Sequence, residues 1–164
     1  MAKKVKLETT FEHEGLSIIG INSTMPDYKL IWNLNNSLKL NFVKEEDFVF
    51  ETLRTKEKCA FSYYCYNDCE NFKTYYFLSN NAQNRYIIDE YKNMNFLLMV
   101  KGNNQVPFIN DVIVQVKNIK NVLLTLPLDL SKVKHLELIL NDFELFIMDL
   151  NLKKKKIKAT AKNK

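Results

Sequence analysis

The chain has 164 residues, of which 46% are hydrophobic and 26% are charged, a composition that predicts one globular domain and excludes a disordered protein. Its longest unbroken apolar run, Phe96 to Val100, is far below the ~20 residues that a membrane-spanning helix needs. With only three glycines, the chain cannot supply the glycine-rich loop of a P-loop or Rossmann nucleotide site.

The formal net charge of +5 is distributed unevenly along the chain. Residues 153 to 164 contain seven lysines and no acidic residue, whereas residues 7 to 152 contain 14 basic and 19 acidic residues. We therefore expect a single, mildly acidic domain over residues 1 to 152 and a disordered, lysine-rich tail over residues 153 to 164.

Three cysteines, Cys59, Cys65 and Cys69, are an odd number in a chain large enough to fold without disulfides. We expect free thiols and a cytoplasmic protein, which also fits the lack of an apolar signal segment after the first lysines. The cysteine spacing is not repeated in a second cluster, so neither a metal site nor a cofactor is predicted.

The first predicted elements are two strands and a helix. A weak pattern from Val5 to Thr10 and a stronger apolar pattern from Leu16 to Ile21 indicate strands. Pro26 then follows a serine and a threonine that can cap a helix, and an apolar stripe continues to Leu38. This pattern predicts a helix at about residues 25–38.

From residue 42 to residue 80 the pattern changes to short runs of aromatic and β-branched residues with a period of two, which is typical of strands. The runs around Tyr63 and Tyr75 are separated by Asn67, Asp68 and further polar residues. Because such residues favour a chain reversal, these two runs are predicted to form an antiparallel hairpin.

The second half of the chain begins with a predicted strand, Phe96 to Val100, and a predicted helix at about residues 107–119 that starts at a proline. The run from Val122 to Leu126 is interpreted as another strand. Together these elements predict an α+β fold, mainly an antiparallel sheet packed with two principal helices.

Residues 131 to 149 fit two interpretations. An Asn141-Asp142 turn would make a hairpin that places six apolar residues on one face. Val133, Leu136, Leu140 and Phe143 also repeat at three and four residues, as in a helix, so the sequence leaves both structures open.

Residues 88 to 96 read Ile-Asp-Glu-Tyr-Lys-Asn-Met-Asn-Phe and resemble the motif that names the bacterial IPExxxVDY family. Ile88 and Glu90 match that motif directly, and Asp89 replaces its proline. At the last three positions this chain has Met94 for Val, Asn95 for Asp and Phe96 for Tyr.

The surroundings of the motif also resemble the family, in matching order over roughly residues 5 to 140. The family's first strand and helix are similar to residues 20–23, 27–30 and 34–35 of this chain. The segment before its motif is similar to residues 77–80. The family has no established activity, so the resemblance implies a bacterial protein and no catalytic residue. Within the motif we expect Ile88 to anchor a turn, Glu90 to cap or pair, and Phe96 to enter the sheet.

An enzyme would have to combine Asp89 and Glu90 with His135 or Asp27, as carboxylates beside an imidazole for acid–base work. No nucleophile is marked by its sequence context, and no spacing in the chain is one that catalysis demands. Catalysis is therefore the second alternative.

Association with RNA or the ribosome is the first alternative. The tail lysines could attract phosphates, and tyrosines of the predicted hairpin could stack on bases. The predicted anion-binding residues are Lys153, Lys154, Lys155, Lys156 and Lys158.

The favoured hypothesis is a non-catalytic cytoplasmic domain that binds a protein partner or another copy of itself. Tyrosine gives a large contact area at a small rotamer cost, so exposed tyrosines of the hairpin would suit an interface. The predicted interface residues are Tyr63, Tyr64, Tyr66, Tyr75 and Tyr76.

Overall fold

The computed structural model describes residues 15–102 and 105–162. Its strands are β1 (Leu16–Ser23), β2 (Val43–Lys44), β3 (Phe48–Glu51), β4 (Lys58–Phe61), β5 (Tyr63–Asp68), β6 (Lys73–Ser79), β7 (Asn81–Ala82), β8 (Arg85–Tyr86), β9 (Phe96–Lys101) and β10 (Val122–Pro127). Its helices are α1 (Asp27–Leu38), α2 (Val106–Lys117) and α3 (Leu136–Lys162). The predicted strand from Val5 to Thr10 and the last two residues of the predicted tail lie outside the described residues.

Six strands form one antiparallel sheet in the order β10-β1-β9-β6-β5-β2. The pairs β3–β4 and β7–β8 form two separate antiparallel hairpins. The predicted α+β fold is therefore confirmed, together with the hairpin of β5 and β6 and the two helices predicted at residues 25–38 and 107–119.

Both faces of the large sheet are covered. On β9, Leu98 and Val100 point into a core cluster shared with α1 and α2, whereas Leu97 and Met99 point into a cluster shared with α3 and the β3–β4 hairpin. Successive side chains of a strand alternate between the two faces, so a strand buried on both sides has a continuous apolar run. This burial explains the longest apolar run in the sequence.

The hairpin interpretation of residues 131 to 149 is wrong, because α3 continues through the proposed Asn141-Asp142 turn. Ile139, Phe143 and Leu150 recur at helical spacing and are buried against the sheet. A two-residue hairpin turn favours glycine at its second position, which is absent here, whereas a helix keeps the polar Asn141 and Asp142 off the buried face.

The prediction of a disordered tail is also wrong over its described part, because residues 153–162 form the last turns of α3. Lysine is a good helix former, and positive charge at the end of a helix is favourable to the helix dipole. Two of the lysines also have acidic partners in the body: Lys153 pairs with Glu46 at 3.1 Å, and Lys154 pairs with Glu45.

Phe143 contacts both the sheet and the β3–β4 hairpin, since its ring lies 5.6 Å from that of Tyr63, 5.3 Å from that of Tyr76 and 5.3 Å from that of Phe48. We expect Phe143→Ala to lower the free energy of unfolding by about 3–5 kcal/mol, measured by urea denaturation. Asn141→Ala, on the exposed side of the same helix, should be neutral or stabilising by up to about 0.7 kcal/mol, because alanine has the higher helix propensity. A large loss of stability in Asn141→Ala would contradict the helix.

Candidate functional site

The side chain of Asn80 organises the segment that contains residues 88 to 96, called here the motif segment. Asn80 is completely buried at the end of β6. Its Nδ2 lies within hydrogen-bond distance of three carbonyl oxygens, those of Ile88 at 3.3 Å, Tyr91 at 3.1 Å and Met94 at 2.9 Å, so one of its two hydrogens is shared between two acceptors. Its Oδ1 accepts from the backbone N–H of Ile88 at 2.8 Å. The carbonyl oxygens of Ile88 and Tyr91 also accept from the backbone N–H groups of Tyr91 and Met94, so the two groups that depend on Asn80 are the Ile88 N–H and the Met94 carbonyl oxygen.

The end of the motif segment is tied to β1. Asn95 binds the backbone of Ser23 twice, since its Oδ1 accepts from the N–H at 3.0 Å and its Nδ2 donates to the carbonyl oxygen at 2.8 Å. An aspartate, the motif's usual residue here, could not donate the second bond. The Phe96 ring then enters the core and stacks on Phe77, with 5.2 Å between ring centroids.

The middle of the motif segment holds the chain that leads into α3. Glu90 Oε1 accepts from the backbone N–H of Lys134 at 3.0 Å, and the Tyr91 hydroxyl accepts from that of Asp129 at 3.0 Å. Ile88 is fully buried, and a short 3-10 turn, Asp89–Tyr91, leads toward β9. The interpretation of the motif as a turn that feeds a buried strand is therefore correct.

A cavity of about 360 Å³ lies beside the motif segment, and Asp89, Glu90 and His135 all line it. The structure thus brings together three of the four residues of the enzyme hypothesis. Asp27 is elsewhere, in α1, where it accepts a hydrogen bond from the Tyr64 hydroxyl at 3.0 Å.

The chemistry available in this cavity falls short of an acid–base site. The Glu90 carboxylate already holds a backbone N–H, and His135 is exposed. Over residues 15–102 and 105–162, no group of three or more His, Cys, Asp or Glu side chains could hold a metal ion.

An adjoining cavity of about 310 Å³ is lined by Arg54 and Arg85, which the sequence analysis did not single out. Arg54 and Asp89 line both cavities, so the two form one depression, called here the hairpin cleft. These are the only arginines among 24 basic residues of the chain, and that rarity is the signal that could have drawn attention to them.

The predicted tyrosine interface is largely core. Tyr63, Tyr64 and Tyr75 are only 2–6% exposed, and Tyr66 and Tyr76 are half-buried. Alternation along β5 and β6 sends these side chains to both faces of a sheet that is covered on both faces, so burial removes Tyr63, Tyr64 and Tyr75 from any interface.

Burial also changes the acidity of these groups. It raises the pKa of Tyr75 and of Tyr76 to about 12. It raises the pKa of Tyr63 and Tyr64 as well, and for Tyr64 the hydrogen bond to Asp27 acts in the same direction.

Cys65 lies between two of these tyrosines, in a groove of about 500 Å³ beside α3. Burial raises the pKa of its thiol. Because the thiolate is the reactive form, this cysteine is a poor nucleophile.

The five lysines of the predicted anion-binding tail fall into two groups. Lys153 and Lys154 pair with glutamates of the body, whereas Lys155, Lys156 and Lys158 are exposed on the last turns of α3. The lysines therefore form a fixed array on a helix instead of a flexible tail.

No protein-family model matches the chain, and no curated protein sequence is significantly similar to it. The resemblance to the IPExxxVDY family stays a prediction. Within the described part of the chain, no helix combines the length and the apolar character that crossing a membrane requires.

Asn80→Ala should lower the free energy of unfolding by about 3 kcal/mol or more, because it leaves the buried Ile88 N–H and the buried Met94 carbonyl oxygen without a partner. Asn93→Ala is the matched control, since Asn93 lies in the same segment but its side chain is exposed. The control should change stability by less than about 0.5 kcal/mol in the same urea titration. Equal effects of the two substitutions would contradict the role given to Asn80.

Stability should fall in alkaline solution because of the buried tyrosines. An unfolded tyrosine has a pKa near 10, so above that pH the unfolded chain loses protons that Tyr75 and Tyr76 retain up to about pH 12 in the folded protein. Their contribution is complete below pH 10 and is lost as the pH rises toward 12. Urea midpoints between pH 8 and 12 should show this decline, with a shallower slope in Tyr75→Phe. The exposed Tyr28→Phe should keep the original slope.

Proposed function

We propose that the protein is a non-catalytic domain that associates with a second copy of itself through the outer face of α3. One observation carries this proposal. Five large apolar side chains of α3 are exposed. One of them, Ile157, is seven residues after Leu150 and so lies on the same side of the helix as the residues that pack on the core. The other four are Leu138 at 47%, Leu145 at 60%, Met148 at 59% and Leu152 at 54%. We call these four residues the outer stripe.

The outer stripe lies opposite the buried face of the helix. Leu138, Leu145 and Leu152 are seven residues apart, so they follow one another along one side of α3 at a spacing of two turns. Phe143 and Leu150 project from the other side into the core. An apolar row that contributes nothing to the core is typical of a surface that another helix covers.

Charge along α3 favours a second copy as the occupant. The helix contains four acidic and no basic residues up to Asp149, and six lysines and no acidic residue from Leu150 to Lys162. Two copies packed antiparallel place the acidic half of each helix along the basic half of the other. A parallel pair would place like charges together.

The antiparallel arrangement is also self-complementary. With the two-fold axis between Leu145 and Met148, Leu145 of each copy packs against Met148 of the other, as an interface of two-fold symmetry requires. The helix of 27 residues is about 40 Å long, enough for the outer stripe to be covered along its whole length.

The cytoplasm remains the proposed location, supported by free thiols at Cys59, Cys65 and Cys69. A bacterial origin and membership of the IPExxxVDY family are proposed on the motif alone. Binding of RNA has less support, because Lys153 and Lys154 pair with glutamates and the body is acidic.

Sedimentation velocity tests the proposal directly. The wild-type protein should sediment as a dimer at micromolar concentration, and Leu145→Glu should sediment as a monomer, because a charge would be buried at the centre of the interface. Leu123→Glu is the matched control: Leu123 is 68% exposed on β10, away from α3, so the dimer should persist. A monomeric wild-type protein, or loss of the dimer in both variants, would overturn the proposal.

The orientation of the two helices can be tested separately. In the antiparallel pair, the double substitution Lys155→Glu and Lys156→Glu places negative charge against the acidic half of the other copy and should weaken the dimer. In a parallel pair, the same change would relieve repulsion between lysines and strengthen it. The direction in which the dimer dissociation constant changes at low salt distinguishes the two orientations. High salt should make the change smaller in either case, because it screens the charges.

A further inference from the structure

The geometry points to a second site, independent of the outer stripe: the hairpin cleft binds the phosphate monoester of a small hydroxylated molecule. The cleft lies where the β3–β4 connection meets the β7–β8 hairpin and the motif segment. The phosphate sits between Arg54 and Arg85, and the hydroxylated part extends toward Asp89.

The two arginines give the cleft its preference for phosphate. A guanidinium presents several N–H donors in a plane and can bind two oxygens of one phosphate group, which a lysine cannot do. Within the described residues Arg54 makes no ion pair and no side-chain hydrogen bond, so its donors are available. Both arginines line one cavity together with Asp89, and Glu57 pairs with Arg85, so Arg54 supplies the positive charge that is not already paired.

The Arg85 side chain is held in place by two partners, but not all of its N–H groups have an acceptor. One terminal nitrogen pairs with Glu57, and the other donates to the Gln83 carbonyl oxygen at 3.3 Å. Its Nε is screened from solvent and has no hydrogen-bond partner among the described residues. An anion would therefore be held by the terminal nitrogens, because each has a second N–H and the side chain is 29% exposed.

The backbone on both sides of the cleft is fixed before any ligand arrives. In the β3–β4 connection, the N–H of Thr52 donates to the Glu57 carbonyl oxygen at 2.9 Å, and the N–H of Lys56 donates to the Thr52 carbonyl oxygen, also at 2.9 Å. In the β7–β8 turn, the Asn84 N–H donates to Asn81 Oδ1 at 2.9 Å. Such preorganisation lowers the entropy lost on binding.

The hydroxyl groups near the phosphate position complete the site. Thr52 and Thr55 line the connection, with their Oγ1 atoms 2.5 Å apart. The Thr52 hydroxyl is buried and also bonds the Glu57 carbonyl oxygen at 3.3 Å, so Thr55 is the hydroxyl that can donate to a phosphate oxygen. Asp89 cannot donate to phosphate when ionised, but it accepts from a sugar-like hydroxyl. Because Asp89 lines both cavities, it lies where a phosphate ester would continue beyond its phosphate group.

Isothermal titration calorimetry at low salt tests the site, with inorganic phosphate and ribose 5-phosphate as probes. Both should bind the wild-type protein, ribose 5-phosphate more tightly. Arg54→Gln should weaken both by at least about tenfold, because it removes charge-assisted hydrogen bonds. Lys120→Gln is the matched control, since it removes the same charge from an exposed position in the turn between α2 and β10, and it should bind like wild type.

The hydroxyl preference needs its own variant. Asp89→Asn should reduce the advantage of ribose 5-phosphate over inorganic phosphate, whereas a purely electrostatic site would gain affinity for both probes equally. Amide chemical shifts should change for residues 52–55 and 84–89 on titration. No binding of either probe, shifts elsewhere in the protein, or equal weakening by Arg54→Gln and Lys120→Gln would overturn the inference.

Discussion

A single buried amide, the side chain of Asn80, fixes the part of the molecule on which the remaining features depend. It replaces the backbone ladder where β6 ends, and it binds both ends of the turn that follows Ile88. The Ile88 N–H and the Met94 carbonyl oxygen, at the two ends of this turn, are buried away from water, so their partners must come from the protein. Asparagine suits this role because it both donates and accepts without carrying a charge.

This turn is hydrogen-bonded to two parts of the chain that are distant in sequence. Asn95 joins the turn to the end of β1, and Glu90 joins it to Lys134, just before α3. The N–H of Ile87 donates to the Asn80 carbonyl oxygen at 3.2 Å, which fixes the end of the β7–β8 hairpin as well. The walls of the hairpin cleft and the packing of α3 therefore both depend on hydrogen bonds of the motif segment and Asn80. Within that segment, Asp89 also lines the cleft directly.

The sequence predicts the elements that depend on neighbouring residues, and it does not predict the contacts between residues far apart in the chain. The strands around Tyr63 and Tyr75 and the helix after Pro26 follow from the spacing of apolar residues, the nearby turn residues and the proline. The cap expected from Ser23 or Thr24 does not form, because α1 begins after Pro26 without a side-chain cap. The partners of Lys153 and Lys154 are glutamates more than a hundred positions earlier, so composition alone indicated a disordered tail. Arg54 and Arg85 belong to different hairpins, and only the folded chain brings them to one cleft.

The two apolar sides of α3 explain why its sequence fits two structures. A helix that only covered a core would have one apolar stripe and a polar remainder, but here Leu145 and Met148 add a second stripe that blurs the period. The pairs Lys153–Glu46 and Lys154–Glu45 contact the body from the inner side, which leaves the outer stripe directed to solvent. Burying that stripe against another helix would stabilise the pair by about 25 cal/mol for each Å² of apolar surface removed from water. It would leave the core contacts of Phe143 unchanged. The features that obscure α3 in the sequence are thus the ones that suit it to be an interface.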